Sequence, residues 1–463
     1  MYNLYKHQEI AIEIAKTKQS LCIFHDCGLG KTLTAIEIIK HFGGKALAVC
    51  PLSIIDDAWI ADCKEFAPEL NVVSLHSNKP AERIKKLNEE HDVYIVNYEQ
   101  FKLLFDEIKQ KEFNIIIVDE SSKMKNPRSQ ITRALLALSG IKCRGRDGKK
   151  YVADKPILHR YVMSGTPAPN DESEYWAQTK FVAGLGRVFH DNFYAFRNRY
   201  FYPIPLGSSG INKYVFKREM QDEFAKRIAS ISHVVSKAEA LDLPDQVHEI
   251  RKVYLSKNER ISYDRFKRDL VLKYQDATIL GSTALVEIMK LRQLASGFFY
   301  SDTKQPIEIG KSKINELLEL LDEIGKYPVI IWTQFRYESA LISKTLKYLG
   351  KTVVRLDGDT THPALAIDFF KQGKSQYLIA NPQTAQHGLT FTNCHYVVYF
   401  SLDYSLLKWE QSMNRVHRIG QTSKCTYYYL LADQTIDEPI YKILNKKADM
   451  SNEILVYLKG VKK

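Results

Sequence analysis

Short apolar runs recur through the first part of the chain: SLCIF at 20–24, ALAVC at 46–50, NVVSL at 71–75, DVYIV at 92–96, NIIIVD at 114–119 and RYVMS at 160–164. Each is too short for a stable helix and most are rich in β-branched residues, so each predicts a strand. Polar residues do not alternate regularly inside them, which means both faces are expected to be covered. That is the pattern of a parallel sheet with helices on either side. Helical period fills the gaps, as in KTLTAIEIIKHF at 31–42, where Leu33, Ile36, Ile39 and Phe42 align along one face.

From about 170 to 310 the chain reads as helical and aromatic, with few strand signals. The alternation then resumes: YPVIIW at 327–332, TVVRL at 352–356, QYLIA at 376–380, HYVVYF at 395–400 and CTYYYLL at 425–431. A helical pattern at 403–418 separates the last two. The expected fold is therefore α/β, with two lobes of parallel sheet flanked by helices, and with helical insertions. Lobe 1 is expected over 1–240, with its insertion from about 170, and lobe 2 over 241–463, with its insertion at about 255–310.

Composition sharpens this only in places. At 463 residues the chain is long enough for two or three domains. No run of apolar residues is long enough to span a membrane, and MYNLYKHQEI lacks the layout of a secretory signal. The seven cysteines form no C-x-x-C pair, which favours a reducing cytoplasm over a disulfide framework or a zinc site. Charge matters more. The net charge is +12, and residues 121–160 hold eleven Lys and Arg against Asp147 and Asp154. So local an excess suits either a face for a polyanion or a solvated basic loop. In VFHDNFYAFRNRYFYPI at 188–204, seven aromatics surround Arg197 and Arg199. They suit a helical core or a platform on which bases stack.

The chemistry begins at HDCGLGKT, residues 25–32, between a strand and a helix. Gly28 and Gly30 would let backbone N–H groups close on phosphate, Lys31 would meet the β- and γ-phosphates, and Thr32 would ligate Mg²⁺. His25 stands where the strict phosphate-loop pattern has glycine. Downstream, IIIVDESSKMKN ends a buried strand in two acids. Asp119 would hold Mg²⁺ and Glu120 would act as general base toward the attacking water.

These segments belong to a longer series. YKHQ, HDCGLGKT, AVCPLSIIDDAW, IVNYEQF, IIIVDESSKMKNP, MSGTPAPN, VIIWTQF, RLDGD, ANPQTAQHGLTFTNCHYVVYF and QSMNRVHRIGQT follow one another along almost the whole chain. Their order resembles the motifs of superfamily 2 helicases, and more narrowly of Snf2-type DNA translocases. QHGLTFT and NRVHRIGQT are similar to the strand-annealing, fork-remodelling branch. The resemblance implies two RecA-like lobes that bind and hydrolyse ATP with Mg²⁺. It implies that Gln8 reads adenine, that Gly388 approaches the nucleotide from lobe 2, and that Gln411, Arg415 and Arg418 face the γ-phosphate. Arg415 and Arg418, three apart on an expected helix, would share a face.

The basic stretch gains a context from the same resemblance: Lys123 and Lys125 match a region near the DNA path. Arg144, Arg146, Lys149 and Lys150 lie in an expected hairpin or loop that either touches the DNA backbone or is simply solvated. The chain departs from the family in reading Asp119-Glu120-Ser121-Ser122 for Asp-Glu-Gly-His, and Ala385-Gln386 for Gly-Gly. The expected protein is a monomeric, cytoplasmic, bacterial or virus-encoded motor on double-stranded DNA. A strand-separating or annealing helicase and a nucleotide-gated DNA-binding scaffold with little turnover are the alternatives.

Overall fold

The computed structural model describes residues 2–145, 148–205, 212–275, 281–301, 303–384 and 389–460, with backbone alone at 270–275, 281–285 and 449–460. Two compact units make up the described chain. One draws on residues 2–205, 212–242 and 448–460, and the other on 243–447. Among the described residues no helix is long and apolar enough to cross a membrane.

The first unit contains strands β1 (Ser20–His25), β2 (Ala46–Cys50), β3 (Val72–Ser74), β4 (Val93–Asn97), β5 (Ile115–Asp119), β6 (Cys143–Arg144), β7 (Lys150–Tyr151), β8 (His159–Met163), β9 (Phe201–Pro205), β10 (Asn212–Phe216) and β11 (Ser232–Val235). Seven of them form one sheet in the order β11-β1-β8-β5-β2-β4-β3, and every pairing in it is parallel. All six strands expected in this part of the chain take part. Their lack of regular alternation has the expected cause. Leu21, Ile23, Ile115 and Ile117 enter one apolar core while Cys22, Phe24, Ile116 and Val118 enter another on the opposite face.

The helix Lys31–Phe42 departs from its expected stripe. It buries Ala35, Ile36, Ile38 and Ile39, leaving Leu33 and Phe42 only partly covered. Two neighbours explain the wider face: Ala35, Ile38 and Ile39 pack on the sheet core, while Ile36 turns to Cys63 and Ala67.

The second unit contains β12 (Gln246–Val253), β13 (Phe298–Tyr300), β14 (Pro306–Glu308), β15 (Val329–Trp332), β16 (Val353–Leu356), β17 (Tyr377–Ala380), β18 (Tyr396–Tyr399) and β19 (Cys425–Ala432). Its sheet, in the order β12-β19-β18-β15-β17-β16, is also parallel throughout.

The expectation of few strands between 170 and 310 needs correction. That interval holds helices such as Tyr175–Ala183, Gln221–Ala229 and Lys257–Gln275, but also β11 and β12, one in each main sheet, and the antiparallel pairs β9–β10 and β13–β14. β11 is only four residues long, and β12 is a largely exposed sheet-edge strand rich in charge, so neither carries a buried-strand pattern.

Candidate nucleotide site and basic face

β1, β8 and β5 lie side by side, with Ile23 and Asp119 both in register with Met163. Their C-terminal ends deliver three loops to the same end of the sheet, where open α/β sheets hold ligands. Thus the 26–30 loop, the Asp119-Glu120 pair and Ser164-Gly165 meet although they are far apart in sequence.

The first loop is held by its own backbone and its neighbours. Gly30 adopts a φ of +66°, and a Cβ there would also fall 2.5 Å from Gln8 Nε2. Gln8 is buried and ties its amide to the chain: Oε1 accepts from Tyr5 N at 2.9 Å and Nε2 donates to Gly30 O at 3.0 Å. His7 Nε2 lies 2.9 Å from Leu29 O. Lys31 Nζ donates to the carbonyls of His25 at 2.8 Å and Asp26 at 3.0 Å, which holds the ammonium over the loop. The edge strand braces the other side. Asp26 N donates to Val235 O, and the Asp26 carboxylate accepts from Lys237 N at 2.8 Å.

His25, the irregular residue of the motif, closes β1. Its buried ring points at β11, where Nε2 lies 2.8 Å from His233 Nδ1. Gly165 approaches the same loop so closely that a Cβ would sit 2.7 Å from Cys27 Sγ and 2.9 Å from Cys27 N.

Asp119 is 5% exposed. Its Oδ2 accepts from Trp59 Nε1 at 3.1 Å and its Oδ1 from Glu120 N at 2.9 Å. Burial, with the neighbouring Glu120 charge, pushes its carboxyl up to about 6, against the lowering pull of Lys31 and Trp59. A divalent cation would offset that desolvation, so the chemistry of Asp119 suits the Mg²⁺ it was expected to hold. Glu120 is in the left-handed region at φ +52°, an uncommon conformation for a glutamate and one associated with functional sites. Tyr98 fixes this turn by donating its hydroxyl to Asp119 O at 2.5 Å. Ser121, the first departure from the family pattern, donates to Gln178 Oε1 at 2.6 Å, and Gln178 Nε2 donates to Pro167 O at 2.7 Å. The acid loop and the loop after β8 are thereby joined.

In the second unit the expected helix over 403–418 ends early. The helix Leu406–Met413 carries Gln411, and the chain then turns. Arg415 and Arg418 lie on those turns and do not share a helix face. They still converge, because a guanidinium nitrogen of each donates to Leu389 O at 3.4 Å. His417 anchors the turn: its Nδ1 is 2.6 Å from Gln246 Nε2 and its Nε2 is 2.8 Å from Pro244 O. Gly388 and Ala385-Gln386 lie outside the described residues.

The basic stretch divides by environment. Lys123 and Lys125 are exposed just beyond the acid loop, with Lys125 Nζ 4.0 Å from Glu174 Oε1. The later part is the expected hairpin, β6 against β7, with Arg144 paired in register with Lys150. Both of these are exposed, whereas Lys149 is ion-paired to Asp106 at 2.9 Å. Arg146 lies outside the described residues.

Sequence reasoning missed Trp59, Tyr98, Gln178 and His233. Trp59 and Tyr98 fall within the quoted segments AVCPLSIIDDAW and IVNYEQF without a role having been read from them, whereas Gln178 and His233 lie in no such segment.

Comparison with known proteins identifies the family. The family model of the SNF2-related domain matches residues 4–145 and 148–297, and that of the helicase conserved C-terminal domain matches 312–420. The chain belongs to the SNF2-related family and, with its helicase conserved C-terminal domain, is a helicase-type ATP hydrolase. It is 25% identical over 456 residues to putative protein p41 of Acyrthosiphon pisum secondary endosymbiont phage 1, covering 93% of each chain. It is 23% identical to the putative ATP-dependent helicase/translocase YwqA of Bacillus subtilis, covering 94% of this chain but 46% of that one. Among solved structures, the Sulfolobus solfataricus SWI2/SNF2 ATPase core in complex with dsDNA aligns over 98% of this chain and 93% of its own, with 21% identity and a TM-score of 0.45.

Proposed function

We propose that this protein is an ATP-driven motor that moves along double-stranded DNA and remodels DNA or protein–DNA complexes without obligatory strand separation. The observation that carries the reading is the meeting of the Lys31 loop, Asp119-Glu120 and the Gly165 loop at three neighbouring strand ends, in a chain of the SNF2-related family.

Lys31, Gly28 and Gly30 bind the phosphates, Thr32 and Asp119 hold Mg²⁺, and Glu120 takes the proton of the attacking water. Gln8, fixed against the loop, keeps one N–H for the adenine edge. Gly388 and Gln411 serve the same nucleotide from the second domain. Arg415 and Arg418 supply the charge that stabilises the departing γ-phosphoryl when the two domains close, a role that needs a planar and permanently charged group. Exposed cations, Lys123, Lys125, Arg144 and Lys150 among them, contact DNA phosphates without reading sequence. The motor acts as a monomer.

The test is ATP hydrolysis without nucleic acid, then with single-stranded DNA, duplex DNA and duplex RNA. Strong stimulation by duplex DNA is expected, accompanied by displacement of a third strand from a triplex. Stimulation by single strands alone would replace the proposal with an unwinding or annealing helicase. Absence of turnover throughout would leave a nucleotide-gated scaffold.

A further inference from the structure

A cavity of about 600 Å³ opens on the first unit, and neither the 26–30 loop, Asp119-Glu120 nor Ser164-Gly165 lines it. Leu136, Ile141, Trp176 and Phe193 contribute apolar surface, while Arg128, Arg133, Lys142 and Arg144 contribute cations. Among the described residues none of those four is ion-paired. The carboxylate in the lining, Asp191, is already bound by the ammonium of Lys180, a side chain only 3% exposed. Among the described residues, the other four have no carboxylate partner.

A ladder of cations and rings runs on from this cavity. Arg128 and Arg197 each lie 5.3 Å from the ring of Tyr194, and Arg197 lies 3.5 Å from that of Tyr214. On the opposite face of the β9–β10 pair, Lys217 sits 4.8 Å from the ring of Tyr202. The aromatic segment at 188–204 divides between two environments. Phe189, Phe196, Tyr200 and Phe201 join the core, while Tyr194 and Tyr202 remain exposed among cations.

We propose that this cavity and ladder bind single-stranded nucleic acid. One base enters against Trp176 and Phe193, its flanking phosphates meet Arg128, Arg133, Lys142 and Arg144, and the strand continues past Tyr194. The cavity has the size of a small-ligand site, so it takes a nucleotide and not a duplex, whose bases are turned inward. Rings beside guanidinium groups match a strand with accessible π-faces and regular charge, whereas an acidic peptide would use the charge alone. The choice of DNA as the strand rests on the motor reading above; the site itself does not.

The full chain should be titrated with a single strand containing 2-aminopurine and with a blunt duplex of the same sequence, with polyglutamate as competitor. The single strand is expected to bind with a change in 2-aminopurine fluorescence. Arg133→Gln combined with Tyr194→Ala should weaken that binding by roughly tenfold or more, yet leave duplex-stimulated ATP hydrolysis unchanged. Lys142→Gln, an exposed change that does not threaten folding, should give a smaller loss in the same direction. Equal weakening toward the blunt duplex, no weakening at all, or equally effective competition by polyglutamate would overturn the proposal. If duplex never stimulates hydrolysis while the variants still lose single-strand binding, the motor reading fails and this site stands.

Discussion

Two carboxylates in the first unit illustrate how burial and task are matched. Glu120 sits at the end of a central strand in a strained turn held by Tyr98, well placed to orient a water. Glu120→Gln preserves shape and removes only the carboxylate proposed as the base. Turnover should fall by about 10²- to 10⁴-fold with nucleotide affinity intact, a split that single-turnover hydrolysis and equilibrium binding would measure. Near-normal hydrolysis would take Glu120 out of the reaction. Glu174 is a different case. Burial raises its carboxyl to about 7, while Asn170 and Lys125 pull the other way. A carboxyl raised in the folded state stabilises through its protonated form. That contribution is full below its usual range near 4.5 and is lost as pH rises through about 7. Urea unfolding of wild type should therefore show stability falling between about pH 4 and about pH 8, by at most about 3 kcal/mol from this group. Glu174→Gln should lack that component; an unchanged pH profile would assign the slope elsewhere.

Among elements, the close approach of the loop after β8 to the phosphate loop makes a steric demand that only glycine meets. Gly165→Ala would drive a methyl group into Cys27 N and Sγ. The expected cost is about 1–3 kcal/mol of stability, with weakened binding of an ATP analogue because the displaced backbone is that of the loop itself. Calorimetry and thermal melting would read both, and a variant unaltered in both would mean that the loops can part without consequence. The hairpin β6–β7 presents Arg144 and Lys150 to solvent while Lys149 is already engaged by Asp106. Neutralising Arg144 and Lys150 should flatten the dependence of log affinity for duplex on log salt by about 0.9 per lost phosphate contact. Neutralising Lys149 should have less effect. An unchanged slope for all three would make the hairpin a solvated feature.

For the whole molecule, the two-sheet plan and the order of chemical motifs are local properties and were legible in sequence. Runs without regular alternation specify strands buried on both faces, and Gly30-Lys31-Thr32 opening a helix is a pattern read from adjacent residues alone. What could not be read was which distant segments become neighbours. The order β1-β8-β5 sets Asp119 two strands from the phosphate loop and inserts Gly165 between them, because parallel strands joined by crossovers need not be adjacent in sequence. The same holds for His25, whose ring is directed by the edge strand β11 rather than by its own motif. It holds for Arg415 and Arg418 too, which are brought together by a shared carbonyl after their expected helix has ended. In the segment at 188–204, period and composition establish that aromatics and arginines coexist. Only tertiary packing, such as that of Phe189, Phe196 and Tyr200 against Phe224, separates the rings of the core from those left beside cations. Sequence by itself thus determined the periodicities, the two sheets and the order of the motifs, since these depend on near neighbours along the chain. Tertiary structure alone decided adjacency, burial and the direction of each side chain, since these follow from contacts between residues that the sequence holds far apart.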